Sequence, residues 1–404
     1  MAVLVDRNAR LLVVGQLASQ ICDRMALIGI LWFFASEGGE TLIPWYLATG
    51  GLPHLMLAWW AGFIINALGA LRVVIWADLL RGLAFLAVAG LLEVLPHNTN
   101  IIMLFALTLV GNIGGALFNP AILSLPVRLA PLGAYRPNQL SALLSSCVAT
   151  GNILGPALAA IAYQFGGLNA VLLLGGIAYL LAGFIESGIR LPERKEMAVR
   201  QKQAPGRAGM TLVRHYPLVG SMLALLLAIN LCLGPITLFM PIFSTTVFAG
   251  GINALAWMQS SMGAGMIIGG LAMASFSLPG SRRARIGIPV VLTSACYLGF
   301  TIAPSLTFAC LLLAGLGISL AAANVGIIGI FQATPKEPEV PSVMAMVNLI
   351  SVASMPISMT AMGGLLHLIP ANHLAIICAT LALFISLAAP FLPGLNEKNN
   401  VVPT

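Results

Sequence analysis

Four ionisable residues lie inside long apolar stretches of this sequence: Asp23, Arg24, Asp78 and Arg81. At the centre of a bilayer each charge costs about 3 kcal/mol on insertion scales, so each needs a partner or a water-filled cavity. Asp78 and Arg81 are three residues apart and share a helical face, which predicts that they pair. Asp23 and Arg24 are adjacent, about 100° apart on a helix, and are predicted to look in different directions. Asp23 also ends a polar stripe. Gln16, Ser19, Gln20 and Asp23 follow the 0, 3, 4, 7 spacing of one helix face, and the stripe is predicted to line a central cavity. Burial and a neighbouring Arg pull the protonation of a carboxyl group in opposite directions, the tension that a proton-coupled step needs. Asp23 is therefore the first candidate for proton coupling and Asp78 the second, with Arg24 and Arg81 as charge partners. The plain alternative is a fixed ion network among the four, and at Asp78 it is the stronger reading.

Helices must carry these residues. The chain has 404 residues, 59% hydrophobic and 8% charged, with a mean hydropathy of +0.99. A soluble domain carries about 25% charged residues. We count twelve stretches near the roughly 20 residues that one crossing requires. They fall near 11–35, 43–66, 73–95, 100–125, 139–163, 168–190, 217–243, 253–277, 286–304, 307–331, 342–366 and 371–393. No alternating β-barrel pattern is present, and the first stretch is too long for a cleaved signal. Of the nineteen Lys and Arg residues, all but Arg24 and Arg81 fall on one side of the resulting topology. The positive-inside rule then puts both termini in the cytoplasm. The net charge of +7 is explained by topology and does not call for nucleic acid.

The polar, basic segment 191–215 divides the chain into a six-helix bundle, 1–190, and a second, 216–404, that ends in a short cytoplasmic tail. The segment is too short to bury a core and reads as a cytoplasmic linker. The halves form a weak repeat: Gly155-Pro156 recurs as Met355-Pro356. Parallel six-helix repeats are one way to build an alternating-access transporter.

Two motifs stand out. Gly151, Gly155 and Pro156 place two small residues on one face and a bend beside them, which permits close approach to another helix. Between the second and third stretches, Gly62, Asn66, Gly69 and Arg72 precede and form a tight connection. On these residues the chain resembles the major facilitator superfamily. The first motif is similar to its antiporter pattern G-x(3)-G-P-x(2)-G, with Ala159 for the last Gly; ordinary small-residue packing is the alternative. The second is similar to the loop motif G-x(3)-D-R-x-G-R-R, with Asn66 in place of Asp, Ala67 in place of the following Arg and Ala70 at a later basic position; Asn66 implies a weaker gate latch. Gly15-Gln16, Ala77 to Arg81 and Ala116 to Ala121 extend the resemblance toward the branch of bacterial macrolide-efflux proteins and the enterobactin exporter.

The resemblance implies an all-α fold of twelve transmembrane helices in two six-helix halves. It also implies proton-coupled efflux of a siderophore or macrolide-like drug from the bacterial inner membrane, by a monomer whose partners are substrate, protons and lipid. A lysophospholipid flippase on the same fold and small-molecule uptake are the alternatives. Cavity candidates are Gln16, Ser19, Gln20, Asn119, Asn230, Asn324, Asn348, Met344 and Met355; thioethers re-pack easily around varied ligands. Glu186 reads as an ordinary i, i+4 pair with Arg190, and His54 as a hydrogen-bonded packing residue. Glu37, Glu40 and Glu93 are predicted to be solvated. The six cysteines read as buried small hydrophobes. No metal, cofactor or enzyme motif is found.

Overall fold

Hydrocarbon offers a backbone no hydrogen bonds, and an α-helix supplies its own within one segment. The apolar stretches accordingly fold as helices. The computed structural model describes residues 5–37, 39–57, 60–94, 96–129, 135–190, 215–275, 282–336 and 339–391, with no strand among them. The helices are α1 (Arg7–Ser36), α2 (Ile43–Leu57), α3 (Ala61–Leu68), α4 (Ala70–Leu92), α5 (His97–Leu129), α6 (Pro137–Ser187) and α7 (Pro217–Leu233). They continue with α8 (Ile236–Thr246), α9 (Gly251–Ser275), α10 (Arg282–Thr301), α11 (Leu306–Ala333), α12 (Val340–Leu365) and α13 (Ala371–Ala388). The predicted linker lies, except for His215, outside the described residues.

Every predicted stretch falls on a helix, but the partition differs. The second is split between α2 and α3 and the seventh between α7 and α8, while the fifth and sixth run together as α6. At 51 residues α6 is roughly 75 Å long, more than twice a ~30 Å hydrocarbon core. It is broken at Gly167, whose φ of 60° suits glycine alone. By length and composition, nine helical stretches among the described residues can cross a membrane, or ten if the bent pair α2–α3 is one span. α9 is not among them, because Gln259, Ser260, Ser261 and its glycines dilute its hydropathy. Large apolar side chains such as Phe63, Trp76, Phe165 and Phe184 are exposed on the outside of these helices. Helices that are apolar all round belong in a membrane.

Contacts divide the chain into two units, Met1–Val199 with Ser244–Ser260, and Arg200–Phe243 with Ser261–Thr404. In the first, α6 packs along α1 and α4, and α5 packs on α4 and α2. Asp6 caps α1 by accepting a hydrogen bond from the Ala9 amide at 2.7 Å. Leu12, Val74, Phe118, Leu125 and Leu140 belong to an apolar cluster at the end where α1 begins. Phe34, Tyr46 and Phe105 pack edge to face and tilted toward its other end. The charged residues lie between these two apolar layers.

The second unit is held differently. A Cβ on Gly265 would stand 2.1 Å from the Ala314 carbonyl oxygen, and one on Gly317 would stand 2.3 Å from that of Met262, so α9 and α11 touch backbone to backbone. Hydroxyl pairs tie other helices: Ser294 with Ser386 at 2.6 Å, and Thr293 to Ser319 at 3.0 Å. No Asp, Glu, Lys or Arg is buried among its described residues.

Candidate functional site

Two missing side chains bring α1 against α6. A Cβ on Gly151 would stand 2.8 Å from the Gln20 carbonyl oxygen, and one on Gly155 would stand 2.4 Å from the Arg24 Cβ. The close approach inferred from the glycine spacing is therefore made, and its partner is the charged segment of α1. α4 brings Asp78 and Arg81 to the same place.

Arg81 is the hub. It is 3% exposed, with Nη1 3.6 Å from Asp78 Oδ1 and 3.8 Å from Asp23 Oδ1. Its Nε donates to the Gly111 carbonyl at 3.2 Å. The guanidinium carbon lies 5.0 Å from the Phe118 ring centre and 5.7 Å from that of Tyr179, within cation–π range. α5 makes room for it with Gly114 and Gly115, where a Cβ would stand 3.1 Å from Nε and 3.0 Å from Nη2. Asp78 is wholly buried and accepts a hydrogen bond from the Ser19 hydroxyl. Asp23 accepts from the Tyr179 hydroxyl, and its side chain is 40% exposed. One guanidinium thus serves two carboxyl groups, one sealed and one open to a cavity of about 290 Å³.

The cavity is walled by Gln20, Asp23 and Arg24 of α1, by Tyr46 and His54 of α2, and by Thr108, Asn112 and Asn119 of α5, with Arg81 and Tyr179 behind. His54 Nε2 and Asn112 Oδ1 are 3.3 Å apart, so the histidine is hydrogen-bonded as expected, yet it also borders the cavity.

Several expectations are corrected. The polar stripe splits: Gln20 and Asp23 reach the cavity, whereas Gln16 and Ser19 are buried inside the bundle. Gln16 lies two turns, roughly 10 Å, along the helix from Asp23, and Ser19 sits at the stripe's edge toward α4. Asp23 and Arg24 both border the cavity. Arg24 makes no ion pair among the described residues; Arg81 takes both carboxyls. Glu186 does not pair with Arg190, whose side chain is exposed; Glu186 is fully buried and neither oxygen has a hydrogen-bond partner. Glu93 is exposed, as expected, and also accepts from Asn169 at 2.6 Å.

Asn230, Asn324, Asn348, Met344 and Met355 belong to the second unit and take no part in this cavity, and Asn324 and Asn348 are exposed. At the α3–α4 turn, Gly69 has φ +87°, which glycine permits. Gly62, Asn66 and Arg72 are exposed, and no ion pair among the described residues involves Arg72. Pro156 is buried inside α6. Sequence reasoning did not single out Tyr179, Thr108 or Asn112. For the latter two, the signal was polar residues at i, i+4 in an apolar helix, followed by Gly114 and Gly115.

The sequence pattern of the Major Facilitator Superfamily matches residues 12–328. The chain belongs to that superfamily. It is a multi-pass membrane transporter. Macrolide efflux protein A of Streptococcus pyogenes is 23% identical over 407 residues, covering 95% of each chain. The putative bacilysin exporter BacE of Bacillus amyloliquefaciens is 23% identical over 251 residues, 61% of each chain. Among solved structures, the nucleoside transporter NupG (D323A mutant) superimposes with a TM-score of 0.77 at 12% identity, over 96% of this chain and 100% of the other. The D-xylose-proton symporter does so with a TM-score of 0.71 at 13% identity, over 97% and 99%. These likenesses concern the fold. As superfamily members use one fold with many substrates, the cavity residues carry the argument about chemistry.

Proposed function

We propose that this superfamily member is a proton-coupled exporter of a small organic molecule, placed in the bacterial cytoplasmic membrane with both termini inside. It crosses twelve times, with α6 counted as two spans and α9 as one, in two six-helix halves joined by the segment 191–215. The observation that carries the reading is the arrangement of Asp23. Its carboxyl is open to the cavity and is tied through Arg81 to a sealed second carboxyl, Asp78. Protonating Asp23 frees Arg81 for Asp78, and losing the proton draws Arg81 back. A substrate entering the cavity meets that switch directly, which is what links binding to access. Arg24, Asn112 and Asn119 supply cavity-facing polar groups for a bulky polar ligand. Both the macrolide-efflux and bacilysin-exporter relatives support export; a siderophore is a further substrate class of the same chemistry.

Uptake is the second reading, supported by the fold it shares with a sugar-proton symporter. Everted membrane vesicles and radiolabelled erythromycin separate the two. Export predicts accumulation in everted vesicles when an inside-acid gradient is imposed, and release when the gradient collapses. Accumulation in right-side-out vesicles instead would support uptake. A response to neither gradient nor orientation would reject both.

A further inference from the structure

Glu186 is the buried acid of the first unit that this scheme leaves unused. It sits in the last turn of α6, fully buried, with neither oxygen hydrogen-bonded. Its room is made by Gly15 of α1, where a Cβ would stand 2.6 Å from Glu186 Cγ and 2.8 Å from Oε1. Asp78 and Arg81 of α4 are the charged groups near enough to act on it electrostatically. α1 presents Gly15 and Gln16, and Arg190, beyond the end of α6 at Ser187, is exposed.

Hydrogen-bond accounting shows what the cluster lacks. Gln16 Oε1, Asp78 Oδ1 and both Glu186 oxygens are buried without a hydrogen bond, and all are acceptors; the donor likewise without a hydrogen bond is Arg81 Nη1, which is ion-paired to Asp78 and Asp23. A carboxylate only accepts, whereas a protonated carboxyl also donates. One proton on Glu186 turns an acceptor into a donor where donors are short. Without that proton, Glu186 is a buried carboxylate with no ion pair or hydrogen bond among the described residues. The three acids are also aligned. Glu186 meets α1 at Gly15, Asp78 meets it at Ser19, and Asp23 follows, so they climb α1 in steps of roughly 6 Å toward the cavity.

We propose that Glu186 is a second proton-binding site, outside the cavity, that loads and releases its proton in step with the exchange of Arg81 between Asp78 and Asp23. The chemistry is one proton leaving or joining one carboxyl oxygen, with no other bond changed. The inference rests on the proton-coupled reading above and adds a station to it.

The test needs no substrate. Infrared difference spectra of the purified full chain in lipid, taken across pH in H2O and D2O, report protonated carboxyl groups by a carbonyl band that shifts on deuteration. The wild type is expected to show a titrating band of which one component is lost in Glu186→Gln. In Glu186→Asp that component is retained with a displaced midpoint, which guards against a folding defect in the first variant. An unchanged titrating band in Glu186→Gln overturns the proposal. So does a Glu186 component of constant amplitude at every pH, which would mark a fixed structural acid. In vesicles, Glu186→Gln is expected to lose gradient-driven erythromycin accumulation while keeping erythromycin counterflow. Loss of coupling in Asp23→Asn with a silent Glu186 would overturn this proposal and leave the exporter reading intact. A titrating Glu186 beside gradient-independent export would support the proton site and remove the proton coupling from the proposed function.

Discussion

Both units bring helices into backbone contact through glycine, and only one of them uses the contact to hold charge. In the first, Gly151 and Gly155 let α6 close on α1 where Gln20 and Arg24 stand. In the second, Gly265, Gly269 and Gly317 let α9 and α11 close on each other with nothing between them but backbone. The first unit buries Asp78, Arg81 and Glu186, and the second buries hydroxyls. Small-residue packing is thus the shared structural device, and chemistry is added to one copy.

The largest expected effect lies at Arg81. Arg81→Met leaves Asp78 buried without its cation, and breaking a buried pair from one side costs about 3–5 kcal/mol. Thermal unfolding in detergent checks it. Adding Asp78→Asn should recover part of the loss, since a buried pair removed together is better tolerated. No single polar substitution inside the second unit should approach that size, and one that did would break the contrast.

The glycine seams sharpen it. Gly155→Val drives a side chain into the Arg24 Cβ, and Gly265→Val drives one into the Ala314 carbonyl; overpacking of this kind costs about 1–3 kcal/mol. Unfolding midpoints should fall in both. The pH profile of erythromycin export should move only for Gly155→Val, because only that seam carries cavity residues.

Hydroxyl deletions give the smallest difference. Ser19→Ala removes the donor that Asp78 uses, and an unsatisfied buried acceptor costs about 1–3 kcal/mol. Ser294→Ala removes half of a neutral pair with Ser386, worth about 0.5–1.5 kcal/mol. Equal losses in a side-by-side melt would mean that Asp78 does not depend on Ser19.

The contrast between the units was partly visible in the sequence. Helical class followed from composition, and the Asp78–Arg81 pair followed from i, i+3 spacing, because both are local. Gly151 and Gly155 announced a close contact but could not say with which helix. What stayed hidden was tertiary. Glu186 has Arg190 one turn away, so local spacing favoured a surface pair; only the notch at Gly15, on a helix distant in sequence, takes it inside. The stripe from Gln16 to Asp23 gave the correct face of α1 but not the depth at which the cavity begins. Asp23 found Arg81 rather than Arg24, since neighbours on a helix cannot fold back on each other while a residue across the bundle can.

The central claim is that the charges of the first unit couple export to protons. Proteoliposomes with a pH-sensitive dye in the lumen and an imposed erythromycin gradient measure it directly. Wild-type protein should move protons against the flow of erythromycin. Asp23→Asn should still bind erythromycin, since its side chain is half exposed and its loss leaves the Asp78–Arg81 pair in place, but should move no protons. The same erythromycin-dependent proton flux in Asp23→Asn as in the wild type would contradict the account.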